Sequence, residues 1–322
     1  MSTLAVEGLR VRLPTPAGEV TVVDGVDYEV QPAEVFGIAG ESGSGKTVSM
    51  LALLGLLPEG SAVEGSARFG NDDLITMPRR RLRSISGRDI AMVFQDPFTS
   101  LHPMLSVGKQ LTEHVRLHLG LDRRGAEERA IELLADVRIP DPRAALRRFP
   151  HQFSGGMRQR IAIAIALACR PRLLIADEPT TALDVTVQAG ILRLLDRLRR
   201  EHELAVVLIT HDLGVLSSVA DRVSIFYAGR VVESGNRADV LQRPRHPYTR
   251  ALLDALPHPE APKEQDLVAI GGAPPSPGRI PPGCAFHPRC AYAVDECRSV
   301  VPPLVPVGDR RLACPVDPFA DE

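Results

Sequence analysis

Tryptophan is absent from this sequence of 322 residues, and aromatic residues make up only 4% of it. So few rings disfavour stacking platforms for sugars or single-stranded nucleic acid. Lysine is nearly absent too: only Lys46, Lys109 and Lys263 occur, so arginine carries almost all the positive charge. A lysine inside a motif is therefore informative. A charge excess of either sign is also missing, since 38 basic against 40 acidic residues leave a net −2. That balance argues against a basic nucleic-acid surface, and no nucleic-acid partner is expected. The longest apolar run, Ile161 to Cys169, is about half of the roughly 20 residues that a membrane span needs. The opening MSTLAVEGLR lacks the apolar core of a signal peptide, so the cytosol is the expected compartment.

What is present suits a globular chain, 44% hydrophobic and 24% charged. Thr21–Val23 and Asp27–Val30 read as short strands parted by the turn signal Asp24-Gly25. Val35–Ala39 is a compact apolar strand followed by a Gly/Ser loop and an apolar helix over Lys46–Leu57. Ile90–Phe94 is another short strand. From Pro97 to Ala168 the pattern is helical, with Ala130, Ile131, Leu134 and Val137 in helical spacing and a break at Asp141-Pro142. Leu173–Ala176 and Ala205–Thr210 are apolar without alternation, as strands covered on both faces are. Between them Val187–Arg200 reads as a helix with Ile191, Leu194, Leu195 and Leu198 on one face. The order implies an α/β fold: a parallel core, antiparallel β segments at the N-terminus and a helical insertion at about 97–168. After about residue 240 proline pairs such as Pro274-Pro275 and Pro281-Pro282 suggest extended chain. A domain boundary is expected there, dividing 1–240 from 241–322.

Gly40-Glu41-Ser42-Gly43-Ser44-Gly45-Lys46-Thr47 fits the phosphate-binding pattern G-x-x-x-x-G-K-[ST]. The glycines let successive backbone N–H groups converge on phosphate oxygens, and the helix opening at Lys46 adds its positive end. Lys46 would reach the β- and γ-phosphates, and Thr47 would ligate Mg²⁺. Leu173–Ala176 ends in Asp177-Glu178, whose side chains alternate along a strand. Asp177 would hold Mg²⁺ through water, and Glu178 would polarise the attacking water. Three further segments are weaker on spacing alone. Gln95, just past its strand, could reach Mg²⁺ or that water, or be an ordinary surface amide. His211 could touch a γ-phosphate or be a loop histidine. Ser154-Gly155-Gly156 could offer N–H groups to an anion, or simply cap a helix.

Taken in order, these segments resemble the ATP-binding subunits of ABC transporters. The resemblance implies Gly40–Thr47 and Val48 as Walker A, Gln95 as the Q-loop, Ser154–Met157 as the signature facing a partner's ATP, Leu173–Glu178 as Walker B, Ala182-Leu183-Asp184 as the D-loop and His211 as the switch histidine. It implies two ATPase domains closing on two ATP molecules. Phe153–Arg160, Thr180–Gln188 and His246-Pro247-Tyr248-Thr249 are similar to the oligopeptide/dipeptide importer subfamily, which also holds nickel and glutathione importers. That likeness implies two permease subunits, a second and non-identical ATPase chain, an extracytoplasmic solute-binding protein and a place on the cytoplasmic face of the membrane. A soluble ABC ATPase would carry two cassettes or a long coiled coil, and an exporter would lack the extension. The segment Asp96–Pro103 is the expected contact with the permease. In the Walker family an aromatic often stacks on adenine near the N-terminus; here Leu13 occupies the matching stretch.

Of five cysteines, Cys169 stands alone in an apolar helix and reads as a core residue. Cys284, Cys290, Cys297 and Cys314 are spaced C-x₅-C-x₆-C-x₁₆-C. Four thiolates suit zinc or an iron–sulfur cluster, and free thiols are the third possibility. The subfamily resemblance implies a [4Fe–4S] cluster.

Overall fold

The computed structural model describes residues 2–96, 100–181, 183–256 and 269–320. In chain order, β1 (Leu4–Thr15) and β2 (Gly18–Val30) are followed by β3 (Val35–Ala39) and α1 (Lys46–Leu53). Then come β4 (Ala62–Phe69), β5 (Asp72–Asp73), α2 (Arg79–Ile85) and β6 (Ile90–Val93). A helical stretch holds α3 (Val107–Leu119), α4 (Arg123–Asp136), α5 (Pro142–Ala145) and α6 (Gly155–Ala166). It leads to β7 (Leu173–Asp177), α7 (Val185–His202), β8 (Ala205–Ile209) and α8 (Leu213–Val219). The chain closes with β9 (Arg222–Tyr227), β10 (Arg230–Asn236), α9 (Arg237–Leu241), α10 (Pro247–Asp254), β11 (Val305–Val307) and β12 (Arg310–Leu312).

Two compact units share these elements: Met1–Leu4, Val30–Val35 and Thr76–Ile209 form one, and Ala5–Glu29, Phe36–Ile75 and Thr210–Glu322 the other. Neither begins near residue 240, where the composition of the chain changes.

In the first unit β6, β7 and β8 pair in parallel, Ile90 opposite Leu173 and Leu173 opposite Ala205. Every residue of β7 and β8 is buried, which is why the sequence shows unbroken apolar runs there. The helix α7 buries Ile191, Leu194, Leu195 and Leu198, positions that recur every three to four residues. Its first turn is capped by Asp184, whose carboxylate accepts the Val187 N–H at 2.9 Å. The Asp141-Pro142 break is also a helix start: Asp141 caps α5, with Pro142 at its first position.

In the second unit β3 runs parallel to β9, and β9 turns into β10 through Ala228 and Gly229, both at positive φ. Two left-handed residues suit the tight turn of a twisted hairpin. The four-stranded sheet β2-β1-β4-β5 accounts for the N-terminal β segments. Two expectations fail here. Asp24-Gly25 is no turn, because β2 is continuous from Gly18 to Val30 and the chain reverses at Pro16-Ala17. Asp24 is held in the strand from elsewhere: its N–H donates to Gly229 O at 2.9 Å, and its carboxylate binds Arg10 and Arg230. Likewise, the helix at Lys46 stops at Leu53, four residues short, where Gly55 takes φ 63°.

The last eighty residues are not merely extended chain. They contain α10 and the β11–β12 hairpin, which is stitched to the sheet by Glu233 opposite Leu312. The Glu233 carboxylate is fully buried and accepts from Arg310 at 3.0 Å and from the N–H groups of Arg245 and His246. Burial pushes its carboxyl pKa up against these bonds. Removing Arg310 alone would leave a buried charge short of its strongest partner.

Candidate functional site

The phosphate-loop residues lie in the second unit, between the end of β3 and α1. Gly40 has φ 146°, and a Cβ there would stand 2.1 Å from Phe226 O. Gly45 caps α1 at φ 97° with no side-chain cap bond. Lys46 is 6% exposed, and its ammonium donates to Gly40 O at 2.8 Å and Glu41 O at 2.9 Å. The lysine thus closes the loop on itself. Ser44 is buried, Ser42, Gly43 and Thr47 face outward, and Val48 is half-buried in α1. His211, also in this unit, is exposed directly after Thr210, whose N–H donates to Ile38 O. Leu13, on β1, is half-buried.

The first unit holds the other group. Asp177 is buried at the end of β7, and Glu178 follows at φ 45°, a left-handed conformation that non-glycine residues adopt at a cost. The Glu178 N–H donates to Ile209 O at 2.9 Å, fixing that turn to β8. Its carboxylate Oε2 accepts from Gln95 Nε2 at 2.7 Å and from Thr181 Oγ1 at 2.9 Å. Gln95 and Glu178, 83 positions apart, are therefore brought together. Ser154 caps α6 by accepting the Met157 N–H. The absence of side chains at Gly155 and Gly156 lets α6 meet the start of α7: a Cβ on Gly156 would stand 2.5 Å from Val187 Cγ1, and one on Gly155 3.6 Å from Leu183. This places the segment Ser154–Met157 beside the helix that Asp184 caps. Ala182 lies outside the described residues, as do Pro97, Phe98 and Thr99 of the expected permease contact.

Cys284, Cys290, Cys297 and Cys314 carry free thiols and line one cavity in the second unit. Burial raises the pKa of Cys284, Cys290 and Cys314. Backbone N–H groups of Phe286, Tyr292 and Asp317 oppose it by donating to those sulfurs. Among the described residues no group of three or more His, Cys, Asp or Glu side chains is set to hold a metal ion. Cys169 is buried in the first unit, as expected. Thr181 touches Glu178, and Tyr248 and Arg289 touch Glu41; spacing did not reveal these contacts. Glu41 lay inside the phosphate-loop motif, Thr181 inside Thr180–Gln188 and Tyr248 inside His246–Thr249, each without a role of its own, and Arg289 lay in none of these segments.

Comparison with known proteins shows the family. The ABC transporter family matches residues 23–181, and the family "Oligopeptide/dipeptide transporter, C-terminal region" matches 232–297. The chain is 46% identical over 312 residues to the oligopeptide transport ATP-binding protein OppD of Salmonella typhimurium, covering 97% of this chain and 92% of that one. It is 45% identical to the dipeptide transport ATP-binding protein DppD of Haemophilus influenzae, covering 98% and 95%. Among solved structures, an ATP-binding cassette captured as a dimer after hydrolysis, with ADP and Pi, superposes with a TM-score of 0.65 at 26% identity. That match covers 73% of this chain and 98% of the cassette.

Proposed function

The chain belongs to the ATP-binding subunits of ABC transporters of the oligopeptide and dipeptide type, and from that membership we propose that it hydrolyses ATP to drive peptide import. The observation that carries the catalytic part is the Gln95–Glu178–Thr181 cluster, a carboxylate oriented by two donors at the end of a buried strand. Glu178 is the general base toward the attacking water, and Gln95 and Thr181 orient it. In the other unit Lys46 and the loop N–H groups bind the β- and γ-phosphates, and His211 is a γ-phosphate contact. Each of Thr47, Asp177 and Gln95 carries a hard oxygen atom of the kind Mg²⁺ takes, and a bound ion would supply charge neutralisation on the phosphates. Ser154–Met157 and Asp184 serve the ATP of a second ATPase chain.

ABC subunits of this type work with membrane permeases. The finer assembly is a related second ATPase, two permeases and an extracytoplasmic binding protein, with this chain on the cytoplasmic face. No helix among the described residues is long and apolar enough to cross a membrane. The core at 1–240 carries the ATPase, and 241–322 is its extension. Peptide as cargo follows the names of the relatives.

Four thiols lining one cavity, three of them receiving backbone N–H groups, support the reading of Cys284, Cys290, Cys297 and Cys314 as ligands of a [4Fe–4S] group, although their present side-chain placement forms no ligand set. It would supply a structural staple for the extension. Iron, sulfide and zinc content of the purified chain, with visible absorbance lost in Cys290→Ser, tests this; a colourless protein with zinc or free thiols refutes it.

Uptake of labelled di- and oligopeptides in cells whose only copy carries Glu178→Gln tests the function. Lost uptake at normal protein level is expected. Normal uptake refutes peptide cargo or the role of Glu178, and parallel nickel and glutathione uptake identifies the alternative.

A further inference from the structure

We infer that Arg289 is a positioning residue for nucleotide binding, which from the C-terminal extension holds the phosphate loop in shape through Glu41. The inference rests on the reading of Gly40–Thr47 as the ATP loop.

Glu41 is the second residue of that loop, and its polar groups are tied on every side. Its N–H donates to the Tyr248 hydroxyl at 2.9 Å. Its carbonyl accepts from Lys46 Nζ at 2.9 Å and from the Ser44 N–H at 3.3 Å. Its carboxylate accepts a two-pronged pair from Arg289, Nη1 to Oε2 at 2.7 Å and Nη2 to Oε1 at 3.0 Å. Two of these partners, Tyr248 and Arg289, come from beyond residue 240. The phosphate loop is thus braced by chain more than two hundred residues away.

Arg289 is well placed to act as a brace. Its side chain is 5% exposed, against 25% for that of Glu41. Its Nε donates to Gly271 O at 2.9 Å, and Nη1 also reaches the Tyr227 hydroxyl at 3.3 Å. The guanidinium lies 5.8 Å from the ring centres of both Tyr227 and Phe286. Those rings pack on Tyr248, Tyr227 at 4.5 Å and Phe286 at 5.3 Å. An arginine so enclosed has little rotamer freedom left to lose, and its planar fork matches a carboxylate in a way an ammonium cannot. The Glu41 bond raises its already high pKa.

The consequence for the loop is mechanical. The Glu41 carbonyl receives Lys46 and Ser44, both parts of the phosphate cradle. Fixing the two peptide planes of Glu41 fixes where that carbonyl points. Without the fork, Glu41 can turn outward, and the lysine and the Ser44 turn lose their shared acceptor. Affinity for the phosphates then falls, although neither Arg289 nor Tyr248 belongs to the phosphate cradle. Arg289 sits in a 3₁₀ turn, His287–Arg289, between Cys284 and Cys290, so the extension has a short path to the loop.

The test is titration of the purified full-length chain with a fluorescent N-methylanthraniloyl ATP. Wild-type binding is the control, and its absence would remove the nucleotide-loop premise itself. Arg289→Ala should raise Kd about tenfold, within the usual range of coupling between sites. Arg289→Lys, which keeps charge without the fork, should fall between. Glu41→Ala should weaken binding by the same factor, and adding Arg289→Ala to it should change nothing further. In ATPase turnover the change should fall on KM, with kcat within about twofold. Wild-type Kd in Arg289→Ala, or factors that multiply in the double variant, would overturn the inference. If Arg289→Ala fails to fold, Arg289→Lys against Glu41→Gln makes the same comparison.

Discussion

Two glycines of the phosphate loop look alike in the sequence and should behave differently when replaced by alanine. Gly40 has φ 146°, and its missing Cβ would lie 2.1 Å from Phe226 O and 3.0 Å from Ser44 Oγ. Real Cβ atoms almost never approach closer than about 3.0 Å. The obstructing atom is backbone of β9, paired on both sides in the sheet, so it cannot swing aside. Backbone strain of about 1–3 kcal/mol adds to overpacking of about 1–3 kcal/mol, giving roughly 2–6 kcal/mol for Gly40→Ala. Gly43 has φ 78° and nothing within 4 Å of its would-be Cβ. Only the left-handed backbone is penalised there, by about 1–2 kcal/mol. Thermal unfolding should therefore show a drop of several degrees for Gly40→Ala and a slight one for Gly43→Ala. Where Gly40→Ala still folds, the loop must move, and nucleotide Kd should rise at least tenfold. Equal Tm and Kd in the two variants would refute the reasoning, because it would mean that the contact with Phe226 O does not constrain the loop.

Two further outcomes follow from buried titrating groups. Burial moves the Cys169 thiol up from 9.0 to about 11, against the pull of Arg129 and Arg88. At pH 8 its thiolate fraction falls about a hundredfold below that of an ordinary thiol, so iodoacetamide should label Cys169 far more slowly in the folded chain than in urea. Equal rates by peptide mass spectrometry would contradict its burial. Burial lowers His246 from 6.5 to about 3. The unfolded chain thus takes up a proton between those values that the folded chain does not. The contribution of His246 to stability is complete above about pH 6.5 and is lost as pH falls toward 3. His246→Asn, which keeps a cap for α10, should flatten the slope of stability between pH 6 and 4; an unchanged slope in urea melts would remove His246 from that role.

Much of the fold was legible because its signals are local. β3, β7 and β8 are buried on both faces and read as unbroken apolar runs. The buried face of α7 shows its three-to-four spacing directly. The misreadings arose where a distant partner overrides a local preference. Asp24-Gly25 has turn chemistry, yet Gly229, Arg10 and Arg230 hold it in a strand. The proline-rich end looked irregular, yet Glu233 and the pairing of β10 with β12 draw it into the sheet.

The site divides in the same way. A glycine-rich loop before a helix, or two carboxylates ending a strand, is a property of consecutive residues, so the sequence alone determined where these two segments lie. The tertiary structure decided the rest: that Gln95 reaches Glu178, that Glu178 takes a left-handed turn, that Gly40 is confined while Gly43 is open, and that Arg289 grips Glu41 across 248 positions. These depend on strand register and on which side chains meet across elements, and short-range backbone preferences carry no record of either.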